Sequence, residues 1–185
     1  MTYTEKEYEK DRKRYGYLAS LPILVAIVHL LFTIFFMSSV SFHEADGAYG
    51  NLFTLGELFS VSSFAAIILG KGTSYAAVKA LPALLGVGIG LVEIFLSTFA
   101  VKGKKIYYKI AFFVYLFDFL FSFASIILSF TLKSQIVFQV YDIILNLVIH
   151  IIFCLLFVYG MYVIRRLDAY EEKKIQEQNQ IHIER

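Results

Sequence analysis

The thirty-two residues from Gln135 to Arg166 are almost entirely apolar, yet they carry Gln139, Asp142, Asn146 and His150 at intervals of three and four. A helix turns about 100° per residue, so these four side chains share one narrow sector while Ile, Leu, Val and Phe cover the rest of the cylinder. Such a segment reads as a membrane helix with a polar stripe. At about 1.5 Å per residue it would be about 48 Å long, more than the ~30 Å hydrocarbon core, so one end is expected to project into water.

Four further apolar runs precede it. The fold expected is all-α, a polytopic transmembrane bundle of about five membrane-embedded helices at 17–39, 51–70, 80–101, 106–132 and 136–166. A polar N-terminal helix or tail (1–16) and a polar C-terminal tail (167–185) flank the bundle (17–166). A 58% hydrophobic composition and a mean hydropathy of +0.68 place the chain outside the range of soluble domains. Tyr15, Tyr17, Tyr49, Tyr75, Tyr107, Tyr108, Tyr159 and Tyr162 fall near the ends of the runs, where an amphipathic ring sits at the headgroup level. Thr4 and Glu7 stand at capping-box spacing, so a helix is expected to start there and run on into the first span, an uncleaved anchor without an A-x-A site. The one cysteine, Cys154, excludes an intrachain disulfide.

Charge placement carries the functional information. Of the 17 Lys and Arg, 14 lie outside the apolar runs and Lys109, Arg165 and Arg166 sit at their ends, whereas Glu57, Glu93, Asp118 and Asp142 lie within them. A lone acid near the middle of a membrane helix costs about 2.5–3.5 kcal/mol on insertion scales, so such residues face a bundle interior or a watery cavity. His29 shares a face with Pro22, Ala26 and Thr33. Glu93 and Ser97 continue the face of the GxxxG pair Gly86 and Gly90, and Asp118 heads a stripe of Ser122, Ser125 and Ser129. Each reading has a plainer counterpart: a neutral histidine bonded inside the bundle, and serines bonded to their own helix carbonyls. The three glycines could also loosen 80–101 into a broken segment, though an ordinary packing helix is the first expectation.

Other chemistries find little support. His43, Glu44 and Asp46 invite a metal, but they crowd one short connection and read as a solvated loop; no metal or cofactor site is assigned. Gly70-Lys71-Gly72-Thr73 lacks the glycine spacing and strand of a phosphate loop, and no H-E-x-x-H or G-x-S-x-G motif marks an intramembrane enzyme. Asp142 and His150 stand about 12 Å apart along a helix, too far to bond. Basic residues interleave with acids in both tails, which argues against nucleic acid.

The expected function is transport or capture of a cation, proton or small polar solute in an acidic intramembrane cavity. Its substrate-binding candidates are Asp142, Asn146, His150, Asp118, Glu93, Glu57 and His29. The alternative is a non-catalytic subunit or assembly factor of a larger membrane complex, its acids pairing with a partner's basic groups and GxxxG serving as a docking face. The expected surroundings are the lipid bilayer of the plasma membrane, a partner subunit or second copy, and a cytoplasmic N-terminus. Orientation by charge stays open: five crossings split the basic residues 8 against 9. Omitting 80–101 gives 16 against 1, and omitting 51–70 gives 14 against 3.

Overall fold

The computed structural model describes residues 3–42, 64, 75–131 and 140–183. Regular structure among them is entirely helical: α1 (Glu5–Leu18), α2 (Leu21–Phe42), α3 (Tyr75–Val101), α4 (Lys105–Thr131) and α5 (Val140–Ile183). Four stretches are long and apolar enough to cross a membrane: Glu5–Leu31, Leu84–Val101, Lys105–Ile127 and Leu147–Gln180. The expected segment 51–70 lies outside the described residues apart from Phe64, whose ring meets Phe121 edge-on at 4.9 Å. Among the described residues, then, four helical stretches have the length and apolarity to cross a membrane.

The burial pattern is turned inside out relative to a soluble bundle. His29, Glu93, Ser97, Asp118, Ser122, Ser125 and His150 are buried, while Leu31, Leu91, Phe95, Phe113, Phe117, Leu120 and Leu155 stand exposed along the same helices. Water would penalise this arrangement, since exposed apolar area is unfavourable at about 25 cal/mol per Å². Hydrocarbon removes that penalty and makes outward-facing polar groups the costly ones.

Helix α1 begins as the sequence indicates. Thr4 Oγ1 accepts from the Glu7 backbone N–H at 3.4 Å, and the Glu7 carboxylate accepts from the Thr4 backbone at 2.8 Å. The expected unbroken passage into the first span does not occur, because α1 stops at Leu18 and α2 starts at Leu21. Pro22 explains the break: it has no N–H for the Leu18 carbonyl four residues earlier, and its ring clashes there. Ser20 caps the new helix, its carbonyl accepting from Ile23 and Leu24 at 3.0 and 3.3 Å. Carbonyls loosened around the break find partners elsewhere. Ser97 Oγ donates to Ala19 O at 3.0 Å, and Ser20 Oγ donates to Tyr17 O at 2.7 Å.

Helix α3 is continuous through the glycine-rich run. Gly86 is buried, and a Cβ on Gly90 would meet Leu30 Cγ at 3.0 Å and the Ala26 carbonyl at 3.7 Å. The small-residue face is thus used inside the chain, against α2. A tight reversal follows, in which Gly103, at φ 86°, donates to Ala100 O and Lys104 N donates to Phe99 O. This is a Schellman ending, and its left-handed position favours glycine. It makes α3 and α4 antiparallel neighbours.

Helix α5 is 44 residues long, about 66 Å at 1.5 Å per residue, and continues through 167–183 without interruption. Its apolar run gives way to charged residues at Arg165, and the extension beyond packs against α1. Apolar side chains of the extension make this contact: Leu167 is buried and Tyr170 stacks on Tyr8 with ring centroids 4.6 Å apart.

These contacts fix the ends. Tyr15 OH donates to Ala100 O at 3.0 Å, Arg166 pairs with Asp11 at 3.1 Å, and Lys105 pairs with Asp168 and Glu171 at 3.0 and 2.7 Å. The start of the chain, the 102–104 turn and the α5 extension therefore meet at one end of the bundle. Helices α2 and α4 lead away from that end, and α3 and α5 return to it.

Candidate functional site

Four different helices place a buried titratable side chain in the interior: His29 from α2, Glu93 from α3, Asp118 from α4 and His150 from α5. Each sits where its helix turns its apolar residues to lipid, so the polar position of the stripe is forced inward. Counting from the basic end at about 1.5 Å per residue, His29 lies about 12 Å beyond Leu21 and Glu93 about 12 Å before Val101. Asp118 lies about 20 Å beyond Lys105 and His150 about 21 Å before Ile164. The group thus straddles the middle of a ~30 Å core.

Glu93 and Asp118 lie within reach of each other's charge, as do His29 and His150, and Tyr115 lies in the field of both carboxyl groups. Among the described residues no three His, Cys, Asp or Glu side chains come close enough together to hold a metal ion. Glu93 Oε2 is buried with no hydrogen-bond partner among the described residues.

His150 is the most tightly held member. The Tyr115 hydroxyl lies 2.8 Å from its Nδ1 and donates to its carbonyl oxygen at 3.2 Å. Both contacts are met together when His150 carries its proton on Nδ1, which leaves Nε2 as the acceptor. Phe119 stacks on the imidazole with ring centroids 5.0 Å apart. In the α4 serine stripe, Ser125 donates to its own helix at Phe121 O, 2.7 Å, as the plain reading expected, whereas on α3 Ser97 crosses to Ala19 O on the neighbouring segment.

Of the sequence candidates, His29, Glu93, Asp118 and His150 are brought inward together. Glu57, His43, Glu44 and Asp46 lie outside the described residues. Asp142 and Asn146 belong to α5, with side chains outside the description, as is the side chain of Ser129 on α4. Tyr115 was missed, although its place three residues before Asp118 puts it at the head of the same stripe. Asp11 was missed as well: it is 1% exposed, and Arg14, Arg166 and the Tyr3 hydroxyl bond it at 3.0, 3.1 and 2.8 Å.

The end next to α1 is closed by charge. Lys109 joins Lys105 on Asp168 at 3.1 Å, and Tyr8 OH donates to Glu171 at 3.1 Å. Partial burial works to raise the Asp168 carboxyl, but hydrogen bonds from Lys105 and Lys109 and their charges outweigh it and hold Asp168 below the usual carboxylate range. Partial burial first, then the bond to Asp11, pushes the Tyr3 hydroxyl up to about 12.

Fold and site together define a class: a small all-helical bundle with four helices long and apolar enough to cross a membrane and buried titratable groups in its interior. No family model, no curated protein and no solved structure matches this chain.

Proposed function

We propose that the chain carries protons, a small cation or a small polar solute across the membrane through its acidic centre. The observation that carries this reading is the Glu93–Asp118 pair, two carboxyl groups buried on different helices near the middle of their apolar runs, with no Lys or Arg from Leu84 to Val101 or from Ile110 to Ile127. Unbalanced negative charge there is costly, so a cation or proton is the favoured occupant. The accessory-subunit alternative drew on GxxxG and the buried acids as docking groups. In this fold Gly90 packs on α2 and Glu93 and Asp118 face inward, so neither is offered to a partner.

The orientation that goes with this reading puts the end carrying α1 in the cytoplasm. Lys6, Lys10, Arg12, Lys13 and Arg14 lie in α1, Lys102, Lys104, Lys105 and Lys109 at the α3–α4 turn, and Arg165, Arg166, Lys173, Lys174 and Arg185 in the tail. That assigns 14 of the 17 basic residues to one side, leaving Lys71, Lys79 and Lys133, as the positive-inside rule favours. Reporters active on one side only should place both termini in the cytoplasm; opposite sides would defeat this topology.

Vesicles holding a pH dye and the purified protein test the activity. Proton or cation flux should exceed that of empty vesicles, and Glu93→Gln and Asp118→Asn should each bring it down to the empty-vesicle level. Variants that conduct like the parent would end the proposal.

A further inference from the structure

We propose that the groove between α1 and the α5 extension is a binding site for the headgroup of an anionic phospholipid. It depends on the chain residing in a membrane and not on transport. The groove measures about 840 Å³ and is lined by Tyr3, Glu7, Tyr162, Arg166, Tyr170 and Lys173.

Three observations point to a phosphate-bearing occupant from the bilayer. The first is the guanidinium of Arg166. A guanidinium has five N–H donors in a planar fork that matches phosphate oxygens. Asp11 takes Nε at 3.1 Å and the rings of Tyr3 and Tyr162 lie 4.6 and 5.7 Å from the guanidinium carbon, which leaves donors over on a side chain 29% exposed. Asp11 and the Tyr3 ring, 4.6 Å from the guanidinium carbon, hold the fork in place in advance, lowering the entropy lost on binding.

The second is depth. Tyr162 lies two residues before Ile164, after which the apolar run of α5 gives way to Arg165 and Arg166, and Lys173 lies about 16 Å further along the helix at 1.5 Å per residue. The groove therefore opens at the level of the headgroups, roughly 5–8 Å thick on each face, and extends just beyond it. Exposed Tyr162 supplies the amphipathic wall usual at that level.

The third is charge. Lys173 is exposed at the outer rim, and its contact is a 3.6 Å pair with Glu177 on its own helix, so it can turn to a ligand without loosening α1. Arg14 shares Asp11 with Arg166, so the arginines outnumber the acid between them. Attraction to an anionic leaflet contributes about 1 kcal/mol per basic residue near the surface. Glu7, the one acid on the lining, is engaged by the Thr4 cap, whose backbone N–H and hydroxyl both donate to its carboxylate.

The test uses the full chain in mild detergent, titrated with short-chain phosphatidylglycerol, short-chain phosphatidylcholine and inorganic phosphate, with bound lipid counted by native mass spectrometry. Phosphatidylglycerol should bind in preference to phosphatidylcholine. Lys173→Gln, which leaves the α1–α5 contacts intact, should weaken it about fivefold. Arg166→Gln should weaken it by about tenfold or more. Equal binding of the two lipids, or an unchanged preference in Lys173→Gln and Arg166→Gln, overturns the assignment. Inorganic phosphate binding as tightly as the lipid would also overturn it, because the ligand would then be the free anion.

Discussion

Gly160 is the position where one added methyl group should do most damage. It is buried on α5 against the face of α4, and a Cβ there would overlap the Tyr108 hydroxyl oxygen and stand 2.5 Å from Cζ and 2.7 Å from Cε1. Tyr108 has little room to give. It is fully buried, and its ring meets Phe157 at 5.4 Å and Tyr15 at 6.2 Å. Its hydroxyl reaches the Leu156 carbonyl at 3.5 Å, so a shift would also loosen that bond. Inserting a methyl group into a packed interior costs about 1–3 kcal/mol, and an overlap with a ring that cannot rotate away belongs at the upper end. Helix propensity works the other way, alanine being better than glycine by up to about 1 kcal/mol, which leaves a net loss of about 1–2 kcal/mol. For a chain of this size that is a fall of about 2–8 °C in Tm, measured by heating the detergent-purified protein and following helix content. Gly88→Ala is the control, because nothing lies within 4 Å of its Cβ and only the propensity gain applies. Gly160→Ala unfolding at or above the parent temperature would refute this close packing of α4 on α5.

Two further outcomes follow from the same contacts. Ser97→Ala should cost about 1–3 kcal/mol in thermal unfolding, because it strands the Ala19 carbonyl at the Pro22 break where no water replaces the lost donor; an unchanged Tm would mean that the break is held by something else. Asp168 should make the α1 end acid-labile. Its carboxyl is lowered in the folded state, so the stabilisation is present above the ordinary value of 3.8 and fades as pH falls from there through the lowered folded value. Protease cleavage within the α5 extension should therefore rise below about pH 4, and a Lys105→Gln variant, already missing two ion pairs, should show less of that rise. Cleavage that ignores pH across this range would show that these pairs do not hold the extension.

The crossing helices were legible because hydrophobicity and charge exclusion act along the chain. Val101 and Lys105 bound the α3–α4 turn within a residue of the expected limits, since a run of lysines cannot enter hydrocarbon. The inward acids were legible for the same reason, as Glu93 and Asp118 sit on otherwise apolar faces. What stayed hidden depends on contacts between distant residues. Asp11 reads as one more charge in a mixed tail, and only Arg166, 155 positions later, makes it a buried ion. Gly160 reads as an ordinary helix glycine until Tyr108 is brought against it. The break at Ala19 is written in Pro22, which removes the hydrogen bond that would join α1 to α2, but a proline is also compatible with the first turn of a helix that continues, so the sequence alone does not place the break. The number of crossings depends on a segment outside the described residues, and the meeting of both chain ends at one face points to the even count that charge alone favoured.

Four buried titratable groups raise an energetic question that separates structure from function. Acids at mid-membrane cost about 2.5–3.5 kcal/mol each on insertion scales, and the whole of a folded domain's net stability is about 5–15 kcal/mol. If the Glu93–Asp118 pair served only to tie α3 to α4, amides of the same shape would serve equally well or better, since they bond without the burden of charge. Glu93→Gln combined with Asp118→Asn should then leave Tm unchanged or raise it, while abolishing flux, as expected where activity maintains an unfavourable arrangement. The opposite result has an equally clear meaning. A double variant that loses about 2 kcal/mol or more would show the acids to be structural hydrogen-bonding partners in the bundle. In that case their convergence would be a feature of packing, and the acidic centre would give no ground for expecting a transported cation.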